Sequence, residues 1–166
     1  NTIRVGYDLE HRFSDDWQIR NSLQISSRSA PAFLTGFPTN LQDDGRTLER
    51  VFDDTRRFDF NLYLMDTYLE GNFNTGSIEH ELLAGIELSR LNFAADIAFG
   101  NMSPIDLFNP DYDNTIYETT GVFEAESTDQ TLGFYIQDRI EIFDNLSLLL
   151  GGRFDILNTR FKDLNA

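Results

Sequence analysis

Cysteine is absent from the 166-residue chain, so neither a disulfide framework nor a thiolate metal site can form. Histidine occurs only as His11 and His80, too far apart to make a ligand motif. Cations are scarce: 13 Lys and Arg face 28 Asp and Glu, a formal charge of -15. That balance argues against a nucleic-acid partner, because a phosphate backbone calls for clustered Lys and Arg. No stretch of about 18 apolar residues occurs, which removes a membrane-spanning helix. No signal-peptide pattern precedes the first strand-like segment. The Gly-x-Ser-x-Gly elbow, the phosphate loop and His-Glu-x-x-His are missing too, so no catalytic residue, metal or cofactor is expected.

What the chain does have is alternation. In TLGFYIQDRIEIFDNLSLLLGGRFDIL, Leu132, Phe134, Ile136, Ile140 and Ile142 share one face, and Leu148, Leu150, Phe154 and Ile156 resume it after Asp144-Asn145. Gln137, Arg139, Glu141, Arg153 and Asp155 occupy the other face. IRVGYDLEHRFSDDWQIRNSLQIS repeats the pattern: Ile3, Val5, Tyr7, Leu9, Phe13, Trp17, Ile19, Leu23 and Ile25 against Gln18, Arg20, Ser22, Gln24 and Ser26. In a third copy, Phe58, Phe60, Leu62, Leu64 and Tyr68 are expected on the apolar face, returning as Leu82, Ala84, Ile86 and Leu88, with Glu79, Glu81, Gly85, Glu87 and Ser89 opposite. Asp66 and Asp138 interrupt the apolar series, and a bulge or register change is expected to turn them inward.

Period-two alternation means strands rather than helices. Runs of ten or more residues are about twice the usual strand and match the roughly 9–11 needed to cross a bilayer at a tilt. A mean hydropathy of -0.36 is compatible with this, because a transmembrane barrel wets every second residue. The fold class expected is all-β: an antiparallel transmembrane barrel segment of about six long strands in three hairpins, near 2–26, 57–90 and 131–158. Segments 27–56 and 91–130 carry all four prolines (Pro31, Pro38, Pro104 and Pro110) and are expected to be long extracellular loops. Short turns on one side and long connections on the other suit an outer-membrane barrel better than a soluble β-sandwich with insertions. Phe13, Trp17, Tyr68 and Phe73 would form an interfacial girdle, with His11 and His80 structural beside it. Lumen-facing Arg20, Arg139, Arg153, Glu81, Glu87, Glu141 and Asp155 are expected to pair with one another or hold a plug.

The hairpin residues also carry a resemblance. Tyr135, Gln137 and Asp138, followed by Gly151, Gly152, Arg153 and Asp155, resemble the Tyr-x-Gln-Asp and Gly-Gly-Arg-Tyr-Asp strands of TonB-dependent siderophore receptors, with Phe154 replacing the Tyr. Glu10-His11-Arg12-Phe13 with Asp15 and Trp17 is similar to a second hairpin of that family. Thr75, Gly76, His80, Leu82, Leu83 and Gly85 match a third segment, and LFNPDY (Leu107–Tyr112) looks like its Asn-Pro-x-Tyr signature. Ferrichrome-type receptors are the nearest branch. The resemblance implies an outer-membrane location in a Gram-negative-type cell and part of a barrel of about 22 strands around an N-terminal plug. It also implies active uptake of a ferric siderophore, driven by a TonB-type complex acting through that plug, with lipid around the wall. Six strands cannot close such a barrel, so a longer receptor supplying the plug is expected. Family members bind chelates with aromatic side chains, which makes Phe33, Phe37, Phe52, Phe108, Tyr112, Tyr117 and Phe123 the ligand-binding candidates. A receptor for another chelate (cobalamin, haem) and a passive porin-like barrel are the alternatives. Asp111, Asp113 and Asn114 offer oxygens suited to calcium, but they lack the Gly and Glu of an EF-hand loop and read as turn chemistry.

Overall fold

The computed structural model describes residues 1–165, all in or around a single antiparallel sheet with no helix among them. Its strands are β1 (Thr2–Arg12), β2 (Trp17–Ala30), β3 (Phe33–Leu41), β4 (Thr47–Thr75), β5 (Ile78–Asp106), β6 (Tyr117–Phe143) and β7 (Leu146–Asp163). They are ordered β1-β2-β4-β5-β6-β7, with β3 also paired to β4. The sheet is open, β1 and β7 each having one paired neighbour among the described residues.

There are seven strands rather than six, and the two segments expected as loops are mostly sheet. β2 and β3 follow one another up the same edge of β4, interrupted only at Pro31-Ala32. β4 and β5 run 29 residues each and β6 runs 27. At about 3.3 Å per residue, such a strand is roughly 95 Å long. A bilayer core of about 30 Å accounts for under half of that. The remainder stands above the membrane as β-ribbon, leaving only residues 42–46 and 107–116 as tips. At the opposite end the connections are short, and Gly76 takes φ 69° in the two-residue turn joining β4 to β5, as a first-position turn glycine does.

Register sorts the side chains. One face carries Tyr7, Leu23, Met65, Leu88, Leu132 and Ile156 in a single row across six strands. No protein layer covers it: Ile86, Phe134 and Leu150 are 43%, 42% and 52% exposed, and no large side chain among the described residues is fully buried. This is the lipid face. Its uppermost apolar residue is Ile3 on β1 but Ile156 on β7, whose row meets β1 at Tyr7, four residues lower. A slide of that size over five strand-to-strand steps corresponds to a tilt of roughly 30°.

The same register corrects the third hairpin. Phe58, Phe60, Leu62, Leu64 and Tyr68 lie opposite Ala30, Arg28, Ser26, Gln24 and Arg20 on β2, and therefore on the inner face. Tyr63, Met65 and Leu69 face lipid instead. β4 is apolar on both sides, so alternation alone could not choose between them. Asp66 needs no bulge, because it already points inward, where it accepts a hydrogen bond from the Tyr135 hydroxyl at 2.8 Å. Asp138 stays outward: it is opposite Leu82 and Leu150, and its Oδ2 lies 2.8 Å from His80 Nδ1. Asn21 and Thr67, also on the lipid face, satisfy each other at 2.6 Å, and Tyr7 donates to Asn21 at 2.7 Å. These polar side chains in that band are thus paired, as hydrocarbon requires, although the second carboxylate oxygen of Asp138 has no partner among the described residues.

Candidate functional site

The inner face is divided by height. At the short-turn end it is ionic: Arg139 meets Glu81 at 3.3 Å and Glu141 at 3.4 Å. Slightly higher, Arg20 meets Glu10 at 2.8 Å, and Arg153 meets both Glu87 and Asp155 at 2.8 Å. The expected lumen charges pair with one another except Arg20, whose partner is Glu10. Such exposed pairs contribute little stability, about 0–1 kcal/mol each, and mainly keep this tier wet.

Glycine shapes this tier. The Tyr135 ring lies across Gly85, where an added Cβ would collide with it, and this places the hydroxyl on Asp66. On the lipid face Gly71 accommodates the ring of Trp17 in the same way. Trp17 stacks with Phe73 at 6.3 Å, Phe73 stacks on His80 at 4.7 Å, and His11 meets Phe13 edge-on at 5.0 Å. This aromatic belt marks the membrane boundary at the short turns. Tyr68, expected within it, belongs to the inner face beside Gly85.

Above the ionic tier the inner face becomes rich in apolar and aromatic side chains up to the tips, with Arg28, Asp53 and Glu118 among them. Leu62 pairs with Leu91, Phe60 with Phe93 and Phe58 with Ala95, and the Phe58 and Phe93 rings meet edge-on at 5.4 Å. Past a bulge at Arg56, the next inner rows are Phe33–Thr55–Ile97–Phe123, Thr35–Asp53–Phe99–Gly121 and Phe37–Val51–Asn101–Glu118. The result is an aromatic ladder on the upper inner wall, open to solvent, with Phe33 49%, Phe99 42% and Phe123 42% exposed.

The seven candidate aromatics fall into three groups. Phe33, Phe37 and Phe123 join this ladder. Phe52, only 4% exposed, is on the outer face of the ribbon and packs edge-on against Tyr117 at 5.3 Å, which makes that pair structural. Phe108 and Tyr112 lie in the upper tip, 77% and 70% exposed, with the Arg46 guanidinium 6.0 Å from the Phe108 ring centre. Phe99, Phe93, Phe60 and Phe58 were not among the candidates. For two of them part of the signal was present, because Leu91, Phe93, Ala95, Ile97 and Phe99 share one parity through a segment expected to be loop, although Ala94 and Ala98 blur it on the other.

The tips are held by carboxylates. Asp44 accepts from the Thr47 hydroxyl at 2.6 Å and from the Arg46 and Thr47 amides, both at 2.8 Å. Asp111 accepts from the Asn114 side chain at 2.7 Å and from the Asp113 and Asn114 amides. The Thr47 hydroxyl, then the amides, hold the Asp44 carboxyl below its ordinary range, and Asn114 does the same for Asp111. A depressed carboxyl stabilises its turn above its unfolded pKa and loses that contribution as pH falls through the folded one. The Thr47 and Asn114 amide resonances should therefore titrate with midpoints below the usual Asp value near 3.9. Midpoints at or above that value would show that the caps do not favour the charged form.

A one-layer sheet with a lipid face, an aromatic belt at its short turns and a wet inner face is a section of transmembrane β-barrel wall. The family model "TonB dependent receptor-like, beta-barrel" matches residues 1–166, and the chain belongs to that family, whose members are outer-membrane receptors of Gram-negative bacteria. The chain is similar to the ferrichrome outer membrane transporter/phage receptor of Escherichia coli K12, 28% identical over 93% of this chain and 24% of that protein. It is also similar to the ferrioxamine B receptor of Salmonella typhimurium LT2, 30% identical over 91% of this chain and 21% of that one. The chain therefore spans under a quarter of either relative. Among solved structures, the ferripyoverdine receptor of the Pseudomonas aeruginosa outer membrane superposes with a TM-score of 0.75 over 98% of this chain and 22% of its own, at 20% identity, a likeness of fold. The siderophore receptor PiuA of Acinetobacter baumannii gives the same score at 17% identity, over 98% of this chain and 26% of its own.

Proposed function

We propose that this chain is wall and extracellular ribbon of an outer-membrane receptor that captures a ferric siderophore and passes it inward, with energy supplied through TonB. The observation that carries this reading is the aromatic ladder of Phe33, Phe99 and Phe123 on the inner side of ribbon above the membrane. A ferric chelate surrounds its metal with organic bulk, so apolar ring faces with a few polar groups suit it. The wall makes and breaks no bonds in this role. Positioning Arg139, Arg153 and Arg20 in ion pairs lower down leaves a wet tier below the capture surface.

The test is iron-limited growth of a deletion strain fed single siderophores, alongside binding by the purified full-length receptor. Loss of growth on one siderophore, restored by the gene, is the expected result. Unchanged uptake across a broad panel would sink the reading, and diffusion of unrelated small solutes through the barrel would favour the porin instead. Within the receptor, Phe33→Ala, Phe99→Ala and Phe123→Ala should each weaken chelate binding about tenfold, as truncation of a contact residue does. Phe108→Ala should change it less than about twofold, because that ring stands at the tip rather than on the ladder. Equal losses at all four positions would separate binding from the inner face.

A further inference from the structure

The three uppermost inner rows have carboxylates and rings but no cation, the nearest inward one being Arg28, opposite Phe60 two rows below. Asp53 lies opposite Phe99, and Glu118 opposite Asn101, both on the inner face and both without an ion-pair partner among the described residues. No Lys or Arg occupies an inner-face position in the three rows from Phe33–Phe123 up to Phe37–Glu118. The arginines of this ribbon are spent elsewhere. Arg50 is directed to the Ser103 carbonyl at 2.8 Å, Arg46 to Asp106 at 2.6 Å, Arg56 to Asp54 at 3.2 Å and Arg57 to Asp59 at 2.8 Å. In the second ribbon the imbalance is complete: residues 91–130 contain Asp96, Asp106, Asp111, Asp113, Glu118, Glu124, Glu126 and Asp129 and not one Lys or Arg.

Resting on the receptor reading, we propose that this wall selects among chelates by charge, taking a ferric complex that is neutral or carries a net positive charge and turning away anionic ones. Two independent features agree on the sign. Unpaired carboxylates flanking a concave wall raise the local concentration of cations and lower that of anions. Aromatic faces carry negative electrostatic potential, so the ladder itself attracts a positively charged group and offers an anion nothing. An anionic chelate would instead need inward Arg or Lys beside the upper rings to neutralise it, and the nearest, Arg28, lies two rows below them.

The decisive measurement uses one ferric linear trihydroxamate with its terminal amine free (one positive charge), acetylated (neutral) or succinylated (one negative charge), together with a ferric tris-catecholate of three negative charges. Each is titrated onto the full-length receptor at low and at physiological salt. The free-amine and acetylated forms should bind tightest and the succinylated form roughly tenfold weaker at low salt, with the gap narrowing as salt screens it. In the Asp53→Asn, Glu118→Gln receptor the differences between the positive, neutral and negative forms should flatten. Tightest binding by the succinylated or catecholate complex would overturn the charge selection and leave the receptor reading intact. An unflattened series in the double variant would also overturn it. Failure of every ferric chelate to bind would remove the receptor reading itself, and this inference with it.

Discussion

Arginine at Met65 should cost the folded receptor about 2–4 kcal/mol, whereas arginine at its neighbour Leu64 should cost less than about 1 kcal/mol. Met65 lies in the lipid-facing row between Leu23 and Leu88, and Leu64 lies on the inner face between Gln24 and Ser89. A guanidinium in mid-bilayer has neither water nor a partner, and one on the inner wall has both. Denaturant unfolding of the full-length receptor refolded into phospholipid vesicles reads the difference directly. Equal costs, or the reverse order, would mean that the register of β4 has been assigned to the wrong faces.

Valine at Gly85 carries the second large effect. Its side chain would occupy the space of the Tyr135 ring, forcing the ring off the strand and its hydroxyl away from Asp66. Overpacking plus a carboxylate that loses its donor should together cost about 2–4 kcal/mol. Gly152 supplies the control, since a Cβ there meets nothing within 4 Å. Gly152→Val on the lipid face should leave stability within about 0.5 kcal/mol. Adding Tyr135→Ala to Gly85→Val should recover part of the loss, because it removes the ring that clashes. A Gly85→Val protein as stable as the parent, measured by the same unfolding, would show that the glycine does not serve the tyrosine.

How much of this could be read from the sequence depended on whether a strand is greasy on one side or two. β6 and β7 alternate cleanly, and their faces, their turn and their paired charges all follow from the residues. β4 carries Phe58, Phe60, Leu62 and Leu64 on one parity and Tyr63, Met65 and Leu69 on the other. Only hydrogen-bonded register with β2 decides between them, and register is a tertiary fact. The upper ribbons were hidden for a different reason. Their faces are mixed: Asp59, Asp96, Glu124 and Glu126 point outward beside Ala94, Ala98 and Val122, while Asp53 and Glu118 point inward beside the rings, so the contrast that announces a membrane strand disappears. Proline added to this: Pro31 marks the break between β2 and β3, while Pro38 sits within β3, where pairing runs to β4 alone and a missing amide is tolerated. The candidate aromatics divided for the same reason, because a ring in a loop has no face until the loop is known to be a strand.

Those ribbons have a thermodynamic consequence for capture. A mobile loop that closes on its guest must surrender backbone freedom at that moment, at about 1–2 kcal/mol for each residue it fixes. Here the hydrogen-bonded ladders immobilise residues 47–57 and 94–106 when the barrel forms, so an arriving guest meets surfaces whose conformational entropy was lost beforehand. Association should then be fast and carry a heat-capacity change set by the buried rings rather than by coupled folding.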